Sequence, residues 1–148
     1  MKVNRATPPV SVAPVLYYPD VPAAAAWLSA AFGFVERTRV GDSHRAQMSI
    51  GTDGAVVVAE AHEEPDRGRP PTHAVRVRVE DVDAQFEAAR AQGAVLVEPP
   101  TDREYGEREC TLEDPAGHQW VFAETVRDVA PEEYGSRTVA PWPTSADG

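Results

Sequence analysis

The sequence predicts an α+β chain built from two tandem βαβββ modules. Three observations carry that reading: an internal repeat, a capped helix in each copy, and three strand-like segments after each helix. "VLYYPDVPAAAAWLSAAFGF" lies on "VRVRVEDVDAQFEAARAQGA" through Asp-Val-x-Ala and then a glycine twelve or thirteen residues beyond the Asp. Duplication of a whole supersecondary unit decides an architecture before any single residue does.

Each copy opens with a short strand, in "SVAPVLYY" and in "HAVRVRVED", that runs into Asp20 or Asp81. An aspartate placed there caps a helix, because its carboxylate accepts from the first free N–H groups. Val21, Ala24, Ala25, Leu28 and Phe32 in the first helix, and Val82, Phe86 and Ala89 in the second, recur at three and four. That spacing gives each helix one buried stripe. Gly33 and Gly93 end the helices, since glycine accepts the left-handed C-cap. Strands follow at 35–40, 43–50 and 55–61 in the first copy, split by the turns "GDS" and "GTDG". In the second they fall at 94–98, 108–113 and 118–124, split by the loop "PPTDREYGE" and the turn "DPAG". The organisation is then an N-terminal arm (1–11), a first module (12–62), a polar, proline-rich linker (63–71), a second module (72–126) and a tail (127–148). The tail has a short helix opening at Pro131 before proline-rich sequence whose end is expected to be mobile. Trp142 within it reads either as a hook onto a partner subunit or as an isolated exposed aromatic.

A chain of 148 residues folds without staples, and its single cysteine, Cys110, excludes an internal disulfide framework or a Cys-x-x-Cys zinc motif. The N-terminal stretch lacks the apolar core of a signal peptide and no run is long enough to span a bilayer, so a cytoplasmic protein is expected. A formal charge of −10 argues against nucleic acid as a partner. It fits a cationic ligand or simply a solvated acidic surface.

The paired modules, and above all "VEDVDAQFEAARAQGAVLVEPPTDREYGERECTLEDPAGHQWVFAE" followed by "DVAPEE", resemble the vicinal oxygen chelate superfamily in its glyoxalase/bleomycin-resistance-like branch, over residues 12–126. The resemblance implies a curled mixed sheet around a cleft with the helices outside, commonly completed by a second subunit through exchange of modules. A homodimer is expected on that ground, and because two four-stranded sheets leave open edges to cover. The fold hosts metalloenzymes and plain drug binders alike. In the metal-dependent members, four strands supply the ligands of one divalent ion, usually two His and two Glu. Transferred to this chain, those positions fall at Ala13, Glu60, Ala74 and Val121. Glu60 alone is a ligand type, and "SVAPVLYY" holds none in any register, so no metal cofactor is expected.

Strand parity sorts the remaining candidates, because side chains alternate faces. Val75, Val77 and Val79 face the helix, leaving Ala74, Arg76 and Arg78 to the cleft, joined by Val15, Tyr17, Gln119 and Val121. Glu60 with His62, and His44 with Met48, are assigned to the cleft from the fourth and third strands. His73 shares the valines' parity and would ligate a metal only from a bulge or a frayed strand start; otherwise it meets solvent or a hydrogen bond. On the last strand His118, Trp120, Phe122 and Glu124 have the helix-facing parity. The aromatics are expected to pack, His118 to be structural beside a turn made by Pro115 and Gly117, and Glu124 to be solvated or ion-paired. The ligand-binding candidates are therefore Tyr17, Glu60, Arg76, Gln119 and, at the cleft mouth, Tyr105.

Two functions compete. One is a protein that binds a small aromatic or cationic molecule in a dimer cleft without a catalytic metal. The alternative is a divalent-metal-dependent lyase, isomerase or dioxygenase of the glyoxalase type. In an enzyme Glu60 would act as general base and Arg76 would hold a carboxylate or enolate; otherwise the two form an exposed ion pair.

Overall fold

The computed structural model describes residues 2–64 and 68–143. Part of the linker and the end of the tail lie outside the described residues, and with them the expectation about that end. The first module comprises β1 (Val15–Tyr18), α1 (Val21–Phe32), β2 (Val35–Val40), β3 (Arg45–Ile50) and β4 (Gly54–Glu60). The second comprises β5 (Val75–Arg78), α2 (Val82–Ala91), β6 (Val95–Asp102), β7 (Glu107–Glu113) and β8 (Gln119–Thr125). Each forms its own four-stranded sheet, in the order β1-β4-β3-β2 and β5-β8-β7-β6. The first strand pairs parallel to the last, and the others are antiparallel.

Local chemistry sets these elements. Asp20 and Asp81 accept from the Ala23 and Ala84 N–H groups at 3.0 Å and so cap both helices. Gly33 closes α1 at φ 80°, where only glycine is unstrained. The stripes are buried as expected at Val21, Ala25, Leu28, Phe32, Val82 and Ala89.

Two boundaries differ from the sequence reading by more than one residue. β3 starts at Arg45, because the turn over 41–44 takes in Ser43 and His44. β6 runs on through Pro99 and Pro100 to Asp102, with register shifts on either side of Glu98. It is an edge strand, so prolines without N–H groups cost it no ladder bond on the open side.

The two modules share one core. Phe32 of α1 meets Phe34, Trp120 and Phe122 at ring-centroid distances of 5.5, 5.5 and 4.8 Å. Fully buried Asp114 joins the modules: its Oδ2 accepts from the Tyr18 hydroxyl at 2.6 Å and Trp120 Nε1 at 3.1 Å. Its Oδ1 accepts from the backbone N–H groups of Ala116 and His118. Trp27 Nε1 donates to the Gln92 carbonyl and Gln85 Nε2 to the Phe32 carbonyl, so both helices are also tied to the opposite half.

Each sheet therefore has a helix-covered face and an open face. Leu16, Tyr18, Ala46, Met48, Val56 and Val58 fill the covered side of the first sheet, and Val77, Cys110, Leu112, Trp120 and Phe122 that of the second. Met48 is thus a core residue, not a cleft residue, since it pairs with core-facing Val56. The N-terminal arm crosses the open face of the first sheet, where Gln47 Nε2 donates to the Ala6 carbonyl at 3.1 Å. The tail is pinned at Gly106, whose carbonyl accepts from the Val126 and Arg127 N–H groups; a Cβ there would run into the Arg127 carbonyl. Pro131–Tyr134 forms a single 3₁₀ turn where the short helix is expected, and Trp142 is 91% exposed. Among the described residues no helix is long and apolar enough to cross a membrane.

Candidate functional site

The open face of the second sheet carries a connected polar network. Glu109, on β7, has a side chain only 9% exposed and sits at its centre. Arg76 of β5 reaches Glu109 with Nη1 and Glu107 with Nη2, the latter at 3.0 Å. Tyr105 donates its hydroxyl to the other Glu109 oxygen, and Arg103 Nε lies 3.5 Å from that same oxygen while its Nη2 holds Glu98. Burial opposes the charge on Glu109, but hydrogen bonds from Tyr105 and Arg76 and the charges of Arg76 and Arg103 hold its carboxyl below the usual range. The network is a saturated carboxylate with two guanidinium groups and a phenol locked around it.

Along the same face, Thr111 and Val121 lead to Glu113 and Gln119, which approach each other at 3.4 Å. There the face opens into a cavity of about 650 Å³ that also takes in His73 and His118. His118 Nε2 donates to the Tyr17 carbonyl at 2.8 Å and its ring meets Tyr18 edge-on, so this histidine ties the two modules together. His73 lies just before β5, beside Thr72 Oγ1, with its ring centroid 6.4 Å from that of His118.

The expected candidates divide accordingly. Arg76, Tyr105 and Gln119 lie on one continuous surface, and Tyr17, 56% exposed, lies on the open face of the first sheet with Val15. Glu60 does not join them. It pairs with Tyr18, shares the core-facing parity of Val56 and Val58, and projects from the strand end 3.8 Å from His44 Nδ1. The expected Glu60–Arg76 pair is replaced by Arg76 with Glu107 and Glu109. His44 belongs to the preceding turn and His62 lies beyond β4, so neither enters the site from a strand. Glu124 is half-buried and has a structural partner that strand parity did not foresee: its carboxylate accepts from the Val82 N–H at 2.9 Å and helps to cap α2.

Sequence reasoning passed over Glu107, Glu109, Arg103 and Glu98. The signal was present for two of them. In "ERECTLE", Cys110 and Leu112 define a core side, and alternation then puts Glu107 and Glu109 opposite.

The side chains do not fit the superfamily's four-ligand metal centre. Ala13, Ala74 and Val121 have no donor atoms, and Glu60 is on the other face. Among the described residues no three His, Cys, Asp or Glu side chains are grouped to hold one.

The comparisons with known proteins agree with this architecture. The profile of the Glyoxalase/Bleomycin resistance protein/Dioxygenase superfamily matches residues 10–122. TioX from Micromonospora sp. ML1 is 31% identical, with a TM-score of 0.64 over 78% of this chain and 98% of that one. A fosfomycin resistance protein from Listeria monocytogenes shares the fold at 19% identity, with a TM-score of 0.64 over 88% of this chain and all of that one (100%). An uncharacterized protein of Mycobacterium bovis is 38% identical over 66 residues, 45% of this chain, and the match spans 42% of that relative's length. The duplicated modules, their open faces and these matches together establish that the chain belongs to the glyoxalase/bleomycin resistance protein/dioxygenase superfamily.

Proposed function

We propose that the protein binds a small organic molecule in a cleft shared by two copies of the chain, without a catalytic metal. The open face of the second module of one copy meets the open face of the first module of the other. The observation that carries this reading is the opposite charge of the two faces. On the first sheet the open side holds Arg37 and Arg45, while its strands place no carboxylate there. On the second, Glu98, Glu107, Glu109 and Glu113 outnumber Arg76, Arg78 and Arg103. Two chains of formal charge −10 repel at a distance. Complementary faces act within a Debye length of about 8 Å at physiological salt, where local pairing decides orientation. Val15, Tyr17 and Val121 add apolar surface between the charged groups, the usual makeup of a small-molecule site.

Native mass spectrometry of the purified protein, with light scattering at micromolar concentration, tests both halves of the proposal. The expected result is a dimer mass with a small molecule attached. A monomer alone would remove the shared cleft, and a dimer that takes up no small molecule from a chemically varied library would remove the binding function.

A further inference from the structure

We infer that Arg45 is an anion anchor, taking the carboxylate or sulfonate of a ring-bearing ligand that lies against Tyr17. This rests on the shared-cleft reading and adds the ligand's charge to it.

Arg45 opens β3 directly across from Ala59, and Tyr17 lies across from the same alanine on its other side. A guanidinium and an aromatic ring therefore flank one small side chain on the open face. Arg45 Nε is buried and has no hydrogen-bond partner, the single such side-chain atom among the described residues. A buried N–H without an acceptor is an unmet demand, and a group that arrives with an acceptor relieves it.

The chain itself supplies none: no carboxylate of the described residues forms an ion pair with Arg45. Of the glutamates on the open, facing side of a second copy's sheet, only Glu113 is without an ion pair among the described residues, and it lies four residues along β7 from Glu109, beside Gln119. Glu107 and Glu109 are held by Arg76, Glu109 also by Tyr105 and Arg103, and Glu98 by Arg103. The missing acceptor is left to the ligand. Its charge follows from the uncompensated guanidinium, which forms its stronger hydrogen bonds with anionic oxygens. Tyr17, more than half exposed on the same row, supplies a face for a ring next to that anion.

A matched pair of fluorescent probes tests the assignment on the full chain: anilinonaphthalene sulfonate and its uncharged parent, phenylnaphthylamine. The sulfonate is expected to bind about tenfold more tightly or better, the scale of one charge-assisted hydrogen bond. Arg45→Met should abolish that preference. Arg45→Lys should keep only part of it, since an ammonium has the charge but not the planar fork. Tyr17→Ala should weaken both probes alike. Thermal melts establish that each variant is folded, and Arg45→Lys decides the matter if Arg45→Met does not fold. Equal affinities in the parent protein, or a preference untouched by either Arg45 substitution, would overturn the anchor while leaving the cleft. Binding of neither probe would overturn the anchor and the cleft reading together.

Discussion

At matching positions of the two sheets the first module places Arg45 and the second Glu109. Each stands across from a small alanine, Ala59 or Ala123, that separates it from Tyr17 or Arg78. The backbone slot is the same, the charge is opposite, and so is the state of satisfaction. Glu109 is engaged by three side chains of its own chain, whereas Arg45 Nε is buried without a partner. The covered faces differ far less: Ala46 and Met48 answer to Cys110 and Leu112, and Val56 and Val58 to Trp120 and Phe122, all buried and apolar. A duplicated module thus keeps one face for folding, where only volume and apolarity matter. Its other face is left free to diverge, and the divergence is in charge.

The largest effect is expected where the modules do not differ because they share one part. Asp114→Ala leaves the Tyr18 hydroxyl, the Trp120 N–H and two backbone N–H groups without their acceptor. A loss of about 3–5 kcal/mol follows from that many unmet buried donors, a fall in Tm of roughly 10 °C or more. Calorimetry should show it as one cooperative transition moved downward. Two separated transitions, with one module unmoved, would break the picture of a common core under two different faces.

Next in size is the contrast between the two faces. Glu109→Ala strands the groups arranged around it and should cost about 1–3 kcal/mol in urea unfolding, while Arg45→Met should stay within about 0.5 kcal/mol because no partner is lost. Equal costs would mean that the saturated and unsaturated slots are not energetically distinct. Acid sharpens the same contrast. The Glu109 carboxyl is held below its ordinary value in the folded protein, so its contribution is present above the unfolded-state pKa of about 4.3 and is lost as pH falls through the lower, folded value. Between those two pH values the parent protein should lose stability more steeply than Glu109→Gln. Parallel curves in pH-dependent denaturation would show that Glu109 is not the coupled group.

The sequence exposed these regions unevenly, for physical reasons. Caps, stripes and the repeat were legible because each is a local pattern with one structural solution. β4 was not, since "GAVVVA" is buried on both faces and its alternation vanishes, leaving the parity of Glu60 without a marker. The prolines of β6 read as a loop because their tolerance on an edge depends on where the strand lies in the sheet. Glu124 required a contact with Val82, 42 residues away, that strand parity does not contain. Arg45 fell inside the strand expected at 43–50 without being singled out, because its unmet N–H is a property of burial alone.

The smallest expected effect is that of divalent metal on the resting protein. A centre like those of the metal-dependent members needs donors from both modules, and the transferred positions offer Ala13, Ala74 and Val121, which have no donor atoms, and Glu60, which has core-facing parity. His73 and His118 are the nearest alternative, yet His118 Nε2 is already spent on the Tyr17 carbonyl. A built site at free metal 100 times its dissociation constant would stabilise the fold by about 2.7 kcal/mol, several degrees in Tm for a chain of this length. Chelator-stripped protein melted with and without zinc, nickel, manganese or ferrous iron should instead show no shift. Two isolated imidazoles bind such ions too weakly to register, whereas three or four converging donors cannot avoid doing so. A stoichiometric metal in the purified protein, with stabilisation abolished by His73→Ala or Glu60→Ala, would make the two faces halves of a metal centre and would return the metalloenzyme reading.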